Sequence, residues 1–252
     1  MPTRTMTFNG RSSGDPAFGI MFISRIIRPV LTANRTRYQE IAGRDGVYDQ
    51  GRDRDATVIR VSFPVRWTDA ADLEAKSDAI AAWLDTATVR ELIFSDRPSR
   101  RYMARRDGPV GIIPQAPGIK KALCEVEFTV PSGYAEAIEQ TINFTGSGTY
   151  SGTLPAPIII TMTADEGNSL AVMQKQVVGP PTIGFIGDRE FTGGETVVID
   201  TEKRMVTVDG ADARADVDID SDFENFKLHP GEFVIGVEGG SIMSIVYRER
   251  FI

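Results

Sequence analysis

The sequence predicts a mainly β protein, with an α+β N-terminal domain (residues 1–145) and an all-β C-terminal domain (residues 146–252). Three observations predict this. Short runs of alternating apolar and polar residues recur along the chain. One stretch alone has helical spacing. A nearly uncharged segment rich in Gly, Ser, Thr and Pro, residues 145–157, separates two halves of different charge.

From the N-terminus, residues 18–23 are apolar enough for a buried strand, and Pro29 ends or edges what precedes it. Arg44-Asp45-Gly46 is a turn signal, because Gly accepts the positive φ such turns need; apolar flanks predict a hairpin or loop. In the next run Ile59, Val61, Phe63 and Val65 share one face, and Pro64 places its end at a sheet edge or terminus. Residues 69–85 form the helix. Asp69 is its N-cap, Asp72 and Glu74 suit the first turn, and Leu73, Ile80 and Leu84 form the face laid on a sheet, with Trp83 flanking. Residues 91–94 read as a short strand. The most basic stretch, residues 97–106, leads into a Gly/Pro loop. In residues 123–130, Cys124, Val126, Phe128 and Val130 share a face.

Beyond residue 157 nearly everything reads as strand: residues 157–162, 182–186, 195–200, 204–209, 233–237 and 241–250. Val197/Ile199 and Val206/Val208 fall on matching faces of a hairpin. Many short strands at ~8–12-residue spacing indicate a β-sandwich.

Hydrophobic residues (41%) and charged residues (25%) leave enough apolar material for a core in each half. The net charge of -7 lacks a global nucleic-acid footprint. Residues 1–145 carry 20 basic and 18 acidic side chains, and residues 146–252 carry 8 and 17. Two domains with different neighbours would show this contrast, and so would one domain made acidic for solubility. A single cysteine cannot form a disulfide within the chain. The first six residues lack the apolar core of a signal peptide, so folding in a cytoplasm is expected.

Chemistry is sparse. His229, the only histidine, sits in the turn sequence Leu228-His229-Pro230-Gly231, whereas nucleophilic catalysis needs its histidine in a cleft. One His and one Cys cannot supply a zinc site. Cys124, on an apolar strand face, reads as an inert buried thiol. The alternating carboxylates from Asp216 to Asp222 fail as a calcium loop, because Ser221 and Lys227 stand where Gly and Glu are required; a non-standard divalent site and a solvated acidic face both remain open. Arginines 97–106 with Tyr102 could meet phosphates and stack one base, or form a salt-bridged or solvated basic loop. No catalytic, cofactor-binding or metal residue is assigned, no cofactor is expected, and the chain reads as non-enzymatic.

The order of motifs resembles the distal tail protein family of siphophages. Five places carry the resemblance: the Gly43-Arg44-Asp45-Gly46 turn; the strand 59–65 followed by the helix ending Ala82-Trp83-Leu84; Leu92-Ile93-Phe94-Ser95-Asp96-Arg97-Pro98 before Tyr102; the hairpin 197–204; and Phe226-Lys227-Leu228-His229-Pro230-Gly231 before the last hairpin. The resemblance implies an N-terminal β-sandwich with one helix and a β-hairpin, and a C-terminal galectin-like or carbohydrate-module-like β-sandwich. It implies a hexameric ring at the virion tail tip, assembled in the host cytoplasm. That ring would join the tail tube protein to the tail-associated (baseplate hub) protein around the tape-measure protein, with no membrane or specific nucleic-acid partner. The alternative is a carbohydrate-binding module aiding attachment to the host. Galectin-type sugar sites use His, Asn, Arg and Trp, and residues 146–252 hold no Trp and one turn-bound His. A carbohydrate module would need an exposed aromatic platform drawn from Tyr150, Phe185, Phe191, Phe223, Phe226, Phe233, Tyr247 and Phe251.

Overall fold

A computed structural model describes residues 4–114, 118–167, 170–176, 180–185 and 189–252. The chain divides into two compact units, Met1–Glu136 with Ile252, and Ala137–Phe251.

In the first unit an antiparallel sheet runs in the order Arg11–Ser12, Met6–Phe8, Arg90–Phe94, Arg97–Asp107, Lys121–Val130, Thr57–Arg66 and Arg25–Ile27. The long Arg97–Asp107 strand serves two halves. Its stretch from Arg97 to Ala104 pairs with Arg90–Phe94 and its end with Lys121–Val130. The halves fold over one another, bringing the rings of Phe8 and Phe128 to 4.9 Å, so that the sheet forms a sandwich with itself.

The alternating faces meet in register. Ile59, Val61, Phe63 and Val65 lie opposite Phe128, Val126, Cys124 and Ala122, and every one of these is buried. Each such aliphatic or aromatic side chain contributes ~1.5–3 kcal/mol by leaving water. An exposed cross-strand pair contributes ~0.2–1 kcal/mol. The buried face of this strand pair therefore outweighs its exposed face in stabilising the unit. Pro64 stands opposite Leu123, two residues before the strand ends at Arg66 and beyond the short neighbour Arg25–Ile27.

Helix α1 (Ala70–Leu84) starts where Asp69 accepts from the Asp72 amide at 2.9 Å. Ile80, Trp83 and Leu84 are buried, whereas Leu73 is only half-buried. The anchoring face is thus rotated toward Trp83, whose ring stacks on Phe18 at 4.5 Å. Residues 18–23 are not a strand. A short 3-10 turn, Pro16–Phe18, and irregular backbone bury Phe18, Ile20 and Ile23, and the amide of Met21 donates to Pro64 O at 3.2 Å.

The second unit is a sandwich of two antiparallel sheets. One has the order Gln140–Asn143, Gly240–Tyr247, Ile158–Ala164, Thr196–Asp200, Met205–Val208 and Ala211–Asp212. The other has the order Ser147–Tyr150, Gly231–Glu238, Ala171–Gln174 and Thr182–Gly184. The predicted hairpin has the expected register, with Val197 opposite Val208 and Ile199 opposite Val206, all buried. The Gly/Ser/Thr stretch expected as linker contributes Ser147–Tyr150 to a sheet, because Gly148 lets the strand close on Phe233; a Cβ there would lie 2.9 Å from that ring. Of the predicted strand 182–186, the structure describes Thr182–Gly184 and a bridge at Phe185, and residue 186 lies outside the described residues.

Candidate assembly surface

Between Asn34 and Arg54 the first unit carries a β-hairpin. Asn34–Glu40 pairs with Val47–Arg54, with a bulge after Thr36. The turn 41–46 closes with Arg44 N donating to Ile41 O at 3.2 Å, and Gly46 takes the positive φ of 83° that the Asp-Gly turn requires. Every residue of both strands is exposed except Arg54, which is intermediate. Tyr38, Val47 and Tyr48 keep 60%, 52% and 44% of their surface in water. The Arg44 guanidinium lies 4.3 Å over the Tyr48 ring, and Arg37 pairs with Asp53.

The base is held more firmly. Asp55 N donates to Ala33 O at 2.9 Å, and the Thr32 hydroxyl donates to Gly133 O at 2.9 Å while lying 2.6 Å from the Thr57 hydroxyl. Next to the base, Val30 and Leu31 are 87% and 70% exposed. A two-stranded hairpin is marginal in water by itself. One carrying exposed aromatic and branched side chains has the character of a binding element.

A second feature of this unit is a groove of about 510 Å³ along the end of α1. Ile80, Ala81, Leu84 and Asp85 form one wall, and Val110 and Ile112 the other. Asp85 lies at its rim, 3.6 Å from Arg106.

The basic stretch lies on a strand, and several of its charges are engaged. Arg101 reaches Glu91 at 2.6 Å and Glu136 at 3.1 Å, and Arg105 lies 3.6 Å from Asp107. Tyr102, the proposed stacking ring, is buried edge-on against Phe94. Arg28 donates to Asp96 through both terminal guanidinium nitrogens, at 3.0 and 2.7 Å, and holds that carboxyl below its ordinary range against the opposing effect of burial.

The fold engages the remaining singled-out residues through burial and local bonds. Cys124 is buried, and desolvation pushes its thiol up to about 11. The His229 amide donates to Gln176 Oε1 at 2.8 Å in the turn after Leu228. Asp216 pairs with Arg189, and the amides of Asp218 and Asp222 donate to the Gly184 and Thr182 carbonyls. Among the described residues no group of three or more His, Cys, Asp or Glu is placed to hold a metal ion. Of the aromatic candidates in the second unit, Tyr150, Phe185, Phe191, Phe226, Phe233 and Tyr247 are core, and Phe223 and Phe251 are half-buried. The exposed Phe144, at 83%, escaped the sequence reading because nothing in its neighbours marks the positive φ of 56° that turns it outward.

The described residues thus build two β-rich units, the first of which carries an exposed hairpin arm. Two family models match the chain: a phage tail protein RIFT-related domain over residues 19–130, and a siphovirus-type tail component C-terminal domain over residues 151–251. The chain belongs to the siphophage distal tail proteins. Among solved structures it is similar to SPP1 Dit, described as a paradigm of the hub adsorption apparatus in Gram-positive infecting phages. The TM-score is 0.80 at 17% identity, over 100% of both chains. A chain of the activated phage P2 baseplate with Ca matches at a TM-score of 0.47 and 6% identity, over 100% of this chain and 99% of that one. No curated protein matches the chain. Its family and fold are those of a structural tail hub protein and not of an enzyme.

Proposed function

We propose that the protein forms a hexameric ring at the tail tip that connects the tail tube protein to the tail-associated hub protein around the end of the tape-measure protein. The first unit builds the ring, and the second stands as a separate module. Assembly takes place in the host cytoplasm. The carrying observation is the arm from Asn34 to Arg54, on which Tyr38, Val47 and Tyr48 leave about half of their surface in water. A closed ring needs one surface of each copy to meet a different surface of the next, and an arm with a distant receptor provides that asymmetry. The six-fold number is taken from the family.

Light scattering on the purified protein, with negative-stain imaging, tests the reading. Six-fold rings, formed alone or on mixing with the tail tube and hub proteins, are the expected result. A monomer under all these conditions overturns it. The carbohydrate-binding alternative has little support, since six of its eight candidate aromatic side chains are core.

A further inference from the structure

We infer that the arm of one copy docks in the α1 groove of the next, with Arg44 at the rim beside Asp85. The inference rests on the ring reading above and adds the receptor to it. Three observations point to this occupant.

The first is shape and polarity. The groove is open along α1, with Val110 and Ile112 half-buried on its far wall, and its volume of about 510 Å³ is of the size that accepts a few side chains. The arm's far end offers Ile41, Val47 and Tyr48, all at least 44% exposed.

The second is charge. From Asp69 to Asp85 the helix and its caps carry Asp69, Asp72, Glu74, Asp78 and Asp85 against Lys76 alone. Lys76 is taken by Asp72 at 2.6 Å. The last turn holds no basic residue, although a helix C-terminus favours a cation. The Asp85 side chain is 83% exposed. Arg106 reaches it only at 3.6 Å and gives its other nitrogen to Gly108 O at 2.5 Å. The arm's turn carries Arg44, whose guanidinium lies over its own Tyr48 ring.

The third is reach. Seven or eight residues at ~3.3 Å each make an arm of about 25 Å, long enough to cross to a neighbour. Its held base and uncovered end suit a rigid strut.

Two experiments on the full-length protein decide. Charge reversals Arg44→Glu and Asp85→Arg, made singly and together, are scored by the concentration at which rings persist. Each single change should raise it roughly tenfold or more, and the double variant should recover most of the loss. Separately, an Asp45→Cys/Ala81→Cys variant is oxidised as rings and run on a denaturing gel. Both positions are exposed, so the monomer fold is unaffected, and buried Cys124 stays unreactive. A ladder of covalent multimers is expected. Rings without a ladder overturn the docking site and leave the ring reading intact. Failure of the unmodified protein to form rings, with or without its tail partners, overturns both.

Discussion

The indole Nε1 of Trp83 donates a 2.9 Å hydrogen bond to the carbonyl oxygen of Phe8, 75 residues earlier in the chain. Phe8 lies on the strand Met6–Phe8 and Trp83 in the last turn of α1, so this bond ties the helix to the sheet. Both side chains are buried, and the Phe8 ring meets Trp83 edge-on at 6.5 Å.

Trp83→Phe should therefore cost more than its change in apolar area. It leaves the Phe8 carbonyl without that partner in the core, a penalty of about 1–3 kcal/mol. Trp83→Ala adds a cavity and should cost about 3–5 kcal/mol. Urea unfolding followed by circular dichroism checks both. Equal midpoints for Trp83→Phe and the native protein would rule out a role for the bond.

Deleting most of the arm should separate stability from assembly. Replacing residues 35–53 with a short turn removes exposed side chains and leaves the Thr32–Gly133 anchor in place. The unfolding free energy should change by less than ~1 kcal/mol. Ring formation should be lost. A variant that still forms normal rings would refute the arm's part in assembly.

Gly133→Ala tests the base of the arm. Gly133 sits at a φ of 70°, and a Cβ there would approach Asp55 O to 2.4 Å. Strain in the left-handed region adds to that clash, so a loss above ~1 kcal/mol is expected. Gly10→Ala, at a φ of 75° with open space around it, is the control and should cost less. Thermal melts of the two variants rank them.

Acid should weaken the first unit through Asp96. Its folded carboxyl is depressed from the ordinary 3.8, chiefly by the Arg28 hydrogen bond, so the unfolded chain binds the proton more readily. The stabilisation is fully present above pH ~4 and fades as pH falls through the depressed value. Asp96→Asn should lower stability at pH 7 and flatten the loss below pH ~4. Parallel acid profiles for the two proteins would remove Asp96 from the account.

Cys124 offers a probe of opening. Its thiol is buried and pushed up to about 11, so at pH 8 it is protonated and enclosed. A disulfide reagent should label it only at the rate of unfolding, and fast labelling of native protein would contradict the buried geometry.

Sequence by itself determined the elements whose burial is periodic. Ile59 to Val65, Cys124 to Val130 and the Val197/Val208 hairpin were legible because period-2 alternation records which face meets the core. The capping of α1 by Asp69 was legible because that bond is local. Tertiary structure decided what depends on distant neighbours. It turned residues 18–23 from a strand into irregular backbone, because that segment packs against α1 and bonds the Thr57–Arg66 strand at Pro64. It drew Ser147–Tyr150 into a sheet through pairing with residues over 80 positions away. It also neutralised much of the Arg97–Asp107 strand with carboxylates such as Glu91 and Glu136. The arm was half legible. Asp45-Gly46 announced its turn, a local matter of φ, but only the fold could show that Tyr38, Val47 and Tyr48 stay largely in water.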